Sequence, residues 1–274
     1  MRVAVQEVSC KTALTGSGGR YRLNPYVGCE HACVYCYATY IARWRGQAGP
    51  WGSWVQAKVN IPEVLARELK RRTGAHIMLS TVCDVYQPVE RECELTRRCL
   101  SVLQEMAQRD PDLNVFLLTK SELVLRDVAV LEAFPAGRLQ VGFSMTTARD
   151  DVGALLEPHA TRPSRRLAAA RTLREAGLTA GLLFAPVLPH VTERELPRLL
   201  ELAEQADLEC LGFDPCNYLD RQVGARLLQA YQRLGPRAIA RLNQARDDPA
   251  YEQELQELIR EARAGRKTRA EGQT

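Results

Sequence analysis

Three cysteines, Cys29, Cys33 and Cys36, stand in the segment NPYVGCEHACVYCY with the spacing C-x3-C-x2-C. Thiolates this close in sequence can curl around one inorganic centre, and no two of them close a comfortable disulfide without stranding the third. Two metal chemistries stay open. A structural zinc site would want a fourth ligand, for which His31 lies inside the loop, but no second ligand pair follows at zinc-finger distance. A 4Fe-4S cube held by three cysteines keeps one iron without a protein ligand, and that iron can bind substrate or cofactor. The chain has nine cysteines in all. Cys93 and Cys99 read as small apolar thiols on one helical stretch, Cys210 and Cys216 flank a strand without C-x2-C pairing, and Cys10 precedes the fold. Cys83 differs, because it closes a strand on the side where reactive groups are expected. His31 and His159 read as polar loop residues, and Glu157 as either a cofactor contact or a charge at a helix end.

The elements that must position these groups follow a clear alternation. Apolar β-type runs at 77–81, 115–118, 139–144, 180–184 and 210–213, with an earlier strand leading into 23–26, alternate with helical patterns near 62–72, 91–108, 122–133, 164–176, 193–206 and 221–234. Such alternation is the signature of βα units around a mainly parallel sheet. Pro62, Pro163 and Pro236 sit where a first helical turn tolerates proline, and Gly177 follows a helix as its stop. Six units predict an α/β fold of the partial (β/α)6 barrel type, with reactive groups on the loops after each strand. From Pro236 onward, Leu242, Tyr251, Leu255, Leu258 and Ile259 make an apolar face for one or two helices, and 266–274 read as a polar, disordered tail. The division expected is a core domain at 1–235, including an N-terminal extension, and a helical C-terminal extension at 236–274.

The motifs, taken in order, resemble the radical S-adenosylmethionine (SAM) superfamily, and more narrowly its spore photoproduct lyase-like family. KTAL, NPYVGCEHACVYCYA, STVCDVYQPVE, LLTKS, GFSMTT, LEPHATRPSRRL and FAPVLP carry the resemblance across most of residues 11–220. It implies a 4Fe-4S cluster on Cys29, Cys33 and Cys36 whose open iron chelates SAM. It also implies reductive cleavage to a 5'-deoxyadenosyl radical that takes hydrogen from substrate, with an electron donor such as flavodoxin or ferredoxin. Tyr35 then matches the aromatic near the adenine, and Lys120 and Ser144, at the ends of the third and fourth strands, match groups that meet the methionyl and ribose parts. A Gly-Gly-Glu triplet after the second strand is missing, and residues 81–84 stand in its place. Spore photoproduct lyases carry a hydrogen-donating cysteine in this segment, a residue or two before Cys83 and beside Thr81, and Cys83 is the candidate hydrogen-atom donor to a substrate radical here, with a buried inert thiol as the alternative. Tyr37 matches a tyrosine that relays hydrogen onward. The family's C-terminal β-hairpin, which enters damaged DNA, has no counterpart in 236–264, which carry no hairpin signal. The expected function is therefore radical SAM chemistry, with DNA lesion repair as one outcome. Radical modification of RNA, a peptide or a small molecule is the alternative, and a non-enzymatic iron-sulfur protein the rival of another class.

Charge points to a possible partner. The formal net charge is +4, but residues 1–75 hold eleven basic against four acidic residues, a net of +7, together with all three tryptophans. Basic side chains attract phosphate and aromatic faces stack on unpaired bases, so Arg43, Arg45 and Trp54 are candidates for nucleic-acid contact, with DNA or RNA. No apolar run approaches the roughly 20 residues that span a bilayer, and Gln6, Glu7 and Lys11 interrupt any export signal. A cytoplasmic protein with no membrane partner is expected.

Overall fold

The computed structural model describes residues 3–46, 49–216 and 221–271. Its strands are β1 (Ala4–Val8), β2 (Leu14–Ser17), β3 (Arg20–Leu23), β4 (Tyr26–Val27), β5 (Trp54–Lys58), β6 (His76–Leu79), β7 (Asn114–Thr119), β8 (Leu139–Ser144), β9 (Ala180–Val187) and β10 (Glu209–Pro215). Its first helices are α1 (Tyr40–Trp44), α2 (Ile61–Leu69), α3 (Glu90–Cys93), α4 (Leu95–Ala107) and α5 (Val128–Glu132). They continue as α6 (Asp150–Leu156), α7 (Pro163–Glu175), α8 (Thr192–Gln205), α9 (Arg221–Leu234), α10 (Pro236–Asp247) and α11 (Tyr251–Glu271).

One sheet runs in the order β10-β9-β8-β7-β6-β3-β2. Its six strands β3 and β6 to β10 are mutually parallel, and only β2 is antiparallel, as the edge partner of β3 in a hairpin. This is the partial (β/α)6 barrel expected, closed on one edge by the hairpin and open between β2 and β10. The alternation of β7 shows why the sheet holds. Val115, Leu117 and Thr119 are buried beneath the helices, whereas Asn114, Phe116 and Leu118 are half-buried on the inner face. The main core joins that outer sheet face to apolar stripes of α2, α4, α7 and α8, through residues such as Leu65, Leu103, Leu173 and Leu199.

Four local expectations are corrected. The stretch 91–108 is two helices, because Glu94 adopts a left-handed conformation with φ +48° between α3 and α4. The segment 122–133 begins as a 3-10 turn over Glu122–Asp127 before α5. The tail continues as helix to Glu271, in keeping with its Ala, Arg, Lys and Glu content. A second sheet, β1-β5-β4, was not anticipated: β1 pairs parallel with β5 across a long insertion and reads as too polar for a strand, AVQEV. No helix among the described residues is long and apolar enough to cross a membrane.

Candidate active site

The cysteine loop leaves β4 at Gly28, whose φ of +88° and tight approach admit only glycine: an added Cβ would lie 2.6 Å from the Trp54 carbonyl oxygen. The loop then turns on local bonds, from Ala32 N to Cys29 O (3.4 Å) and from Cys36 N to Cys33 O (3.1 Å). Distant elements pin it in place. Gln87 accepts from Glu30 N at 2.8 Å and donates to Gly28 O at 3.2 Å, and Val34 N donates to Leu156 O at 2.9 Å. Cys29 and Cys33 are buried, Cys36 is half-buried, and none is in a disulfide.

The Asp84 carboxylate ties this loop to the sheet. It accepts from Thr119 Oγ1 (2.8 Å), Lys120 N (2.6 Å) and Tyr86 N (2.9 Å), while Asp84 N points at Cys29 Sγ (3.4 Å). Residues 81–84 thus place a structural clamp at the end of β6. His31 is buried within the loop with Nδ1 3.4 Å from Asp84 Oδ2, yet that nitrogen makes no hydrogen bond. Burial holds its pKa down, so the ring is neutral near pH 7. His159 is exposed.

Lys120, from the end of β7, donates through Nζ to Ser144 Oγ at the end of β8 and to Ala185 O (3.3 Å). It lies 3.6 Å from Glu157 Oε1 and 5.7 Å from the centre of the Tyr35 ring. Behind it sits a fully buried network that the sequence reading left open at Glu157 and missed at Arg166. Arg166, 1% exposed, meets Glu157 with Nη2 and donates to Ser144 O (2.9 Å) and Thr161 O (2.6 Å). Tyr35 donates its hydroxyl to the same Glu157, as does Thr146 (3.2 Å). Burial would raise the Glu157 carboxyl, but the Arg166 and Lys120 charges outweigh it and hold it at about 2. The segment LEPHATRPSRRL held the signal, a carboxylate just after α6 and arginines at the start of α7, but only the fold shows which arginine turns inward.

The eight residues assigned from the sequence to cluster, cofactor and hydrogen transfer face one cavity of about 380 Å³ at the carboxyl ends of the strands. Cys29, Cys33, Cys36 and Tyr35 form its loop side, and Lys120 and Ser144 its sheet side. Tyr37 and Cys83 lie beside Thr81, whose carbonyl accepts from the Tyr37 hydroxyl. The Cys83 thiol points at Tyr26 O (3.4 Å), and burial pushes it up to about 12. Asp214, at the end of β10, and Cys216, just after it, reach the same cavity and were not anticipated there. The nucleic-acid candidates fare differently. Trp54 is only 5% exposed and packs edge-on against Trp51, which leaves no face for a base, because β5 turns it inward. The Arg43 side chain lies outside the described residues, and Arg45 is exposed.

A family model for the Radical SAM superfamily matches residues 23–203, which span the cysteine loop, the Lys120 and Ser144 strand ends and β9. The chain belongs to that superfamily. The cofactors of radical SAM proteins are a 4Fe-4S cluster and SAM. The donor set fits them: three free thiols and an unbonded imidazole nitrogen converge on a cavity whose far wall offers an ammonium and a hydroxyl. Among the described residues, no three His, Cys, Asp or Glu side chains close on a single-ion site.

Relatives of this radical SAM protein include an uncharacterized protein of Methanocaldococcus jannaschii, 32% identical over 178 residues, covering 65% of this chain and 64% of the relative. Another is an uncharacterized protein of Mycobacterium tuberculosis, 30% identical over 202 residues, covering 70% and 58%. The chain therefore spans about three fifths of the length of these relatives. Its fold is similar to that of a spore photoproduct lyase variant solved with a dinucleoside spore photoproduct, with TM-score 0.62 and 22% identity. That match covers 84% of this chain and 66% of the other.

Proposed function

We propose that the chain is a radical SAM enzyme that takes a hydrogen atom from a nucleic-acid substrate, with a DNA lesion as its first candidate. The observation that carries this reading is the convergence of Cys29, Cys33, Cys36, Lys120 and Ser144 on one cavity at the strand ends. In it the three cysteines hold the cluster, and Lys120 faces the methionyl carboxylate, a charge-assisted contact in a largely dry cleft. Ser144 faces the ribose and Tyr35 the adenine side. When bound, cluster and SAM supply a reductive carbon-sulfur cleavage that yields a 5'-deoxyadenosyl radical. The protein's part is to orient, to shield and to move hydrogen. Glu157 and Arg166 set the position of Lys120 and Tyr35 from behind, and the packed apolar wall around Cys33, Tyr35, Leu188 and Val191 keeps water out. Cys83, protonated at neutral pH because of its burial, is the proposed hydrogen-atom donor to the substrate radical, with the Tyr37 hydroxyl as the next member of the relay. A flavodoxin or ferredoxin in the cytoplasm supplies the electron, and residues 1–235 form the catalytic unit with 236–274 as its helical extension.

The deciding experiment is anaerobic reconstitution followed by assay of 5'-deoxyadenosine with dithionite, alone and with irradiated DNA, RNA or peptide. Formation that rises only with irradiated DNA supports the lesion reading. A rise with RNA or peptide instead moves the substrate class. Full iron content and cleavage in the Cys29→Ala, Cys33→Ala, Cys36→Ala triple variant would end the proposal altogether.

A further inference from the structure

The inner face of the sheet carries a second cavity, of about 730 Å³, at the end opposite the cysteines. Strand register builds its floor in two rows. One aligns Arg20 with His76 and Asn114, and the next aligns Arg22 with Met78, Phe116 and Gln140. Successive rows on one face lie two residues apart, so this is the lower part of a layered barrel interior. Arg138 completes the basic set and donates to Asn114 Oδ1 at 3.3 Å.

Three features of the floor point the same way. No carboxylate lines it among the described residues. Glu209, which accepts from the lining Gln140 at 2.9 Å, is exposed at the β10 edge. The Arg20 and Arg22 side chains are exposed and make no hydrogen bond or ion pair among the described residues, unlike Arg126, Arg166 or Arg241, which each bind carboxylates. Beside them Met78 and Phe116 stay half-buried, offering an apolar patch and an aromatic face in the same trough. Unpaired cations next to an accessible aromatic are what a phosphodiester strand with unstacked bases would engage.

The trough adjoins the candidate active site, since Arg22 and Met78 line both cavities. From Asn114 in the lower row to Lys120 at the upper end is six residues of β7 and its end, about 20 Å at roughly 3.3 Å per residue. A single nucleotide cannot reach from one end to the other. We propose that this basic floor anchors an unpaired nucleic-acid strand through phosphates several nucleotides from the reacting base, with Arg20 and Arg22 as the phosphate contacts and Phe116 as a stacking face. The inference rests on the nucleic-acid reading of the active site and replaces Trp54 and its surroundings as the place where that substrate is gripped.

The test measures binding of a fluorescein-labelled oligothymidylate of about eight nucleotides, within the usual single-strand site size. It uses the whole 274-residue chain, reconstituted and without SAM, at salt between about 50 and 200 mM. Removing two phosphate contacts should lower the slope of log K against log salt by about 1.4, since each contributes about 0.7 on single strands. The Arg20→Ala, Arg22→Ala variant should therefore bind more weakly with a flatter slope, and the Arg20→Lys, Arg22→Lys variant should keep the slope. Arg171→Ala with Arg174→Ala, on the outer face of α7, serves as the control and should change neither. An unchanged slope in the double Ala variant overturns the proposal. So does equal competition by polyglutamate, which would assign the floor to any polyanion. Because SAM is absent, the outcome does not depend on radical chemistry. Slope loss with no 5'-deoxyadenosine in the wild type would sink the enzymatic reading alone, and the converse would sink only the floor.

Discussion

Lys120 concentrates the electrostatics of the candidate site in one side chain. Its ammonium already has a hydroxyl, a carbonyl and the edge of a carboxylate around it, so under the proposed assignment a ligand carboxylate would meet a lysine already held in place. A charged hydrogen bond of this kind is typically worth about 1.5–3 kcal/mol, against about 0.5–1.5 for the neutral contact expected of Ser144. Lys120→Ala should accordingly weaken SAM binding by roughly ten-fold or more, and Ser144→Ala by less, as measured by calorimetry on the reconstituted protein. Cys83 makes a different kind of prediction. Its S–H is held toward the Tyr26 carbonyl and stays protonated at neutral pH. With the true substrate, Cys83→Ala should keep forming 5'-deoxyadenosine while product falls or is diverted to adducts. Unaltered product yield would assign the thiol to packing.

At the scale of elements, the cysteine loop is shaped by what lies behind it. Gly28 can make its turn only because it lacks a side chain, with Trp54 of β5 in the way of any Cβ. Gly28→Ala should cost about 1–3 kcal/mol of strain and lower the iron bound per chain, read by thermal melting and iron assay. The junction between α6 and α7 holds the other support, the pair Glu157 and Arg166. The Glu157 carboxyl sits at about 2 in the folded protein, below the ordinary value near 4.3, so the unfolded chain binds more protons between those pH values. Its contribution to stability is therefore complete above the unfolded value and is lost as pH falls toward about 2. Glu157→Gln should destabilise the protein by about 3–5 kcal/mol at neutral pH, because Arg166 stays buried without its countercharge. The variant should also show a flatter stability profile across that acid window in denaturant titrations.

The whole molecule is closed by its last helices. Ala238 and Leu242 of α10 share an apolar cluster with Leu227 and Tyr231 of α9 and with Cys33 and Tyr35 of the cysteine loop. Tyr251, Leu255 and Ile259 of α11 join the main core, and Arg241 bridges Glu193 of α8 (3.1 Å) and Glu254 of α11 (2.9 Å). Truncation after Asp247 should remove roughly 2 kcal/mol for each of those three apolar side chains, and urea unfolding would read the loss. A truncated chain as stable as the full one would show that α11 is an appendage only.

Much of the barrel was legible because its signals are local. The β8 boundaries, 139–144, and the helix starts at Pro163 and Pro236 agree with their sequence cues, since apolar runs and N-terminal prolines act over a few residues. The cysteine spacing and the satellite motifs LLTKS and GFSMTT were likewise enough to choose the candidate residues. What remained hidden depends on groups far apart in the chain. Whether Glu157 served cofactor or helix end was open until Arg166 and Tyr35 were seen to close on it. Trp54 looked like an exposed stacking face until its strand, pairing with one about fifty residues away, turned it inward. The rows that bring Arg20 and Arg22 beside Phe116 exist only through the register of β3, β6 and β7. Spacing along the chain can nominate side chains for chemistry, but which of them are paired, buried or left unpartnered is decided by contacts between distant segments.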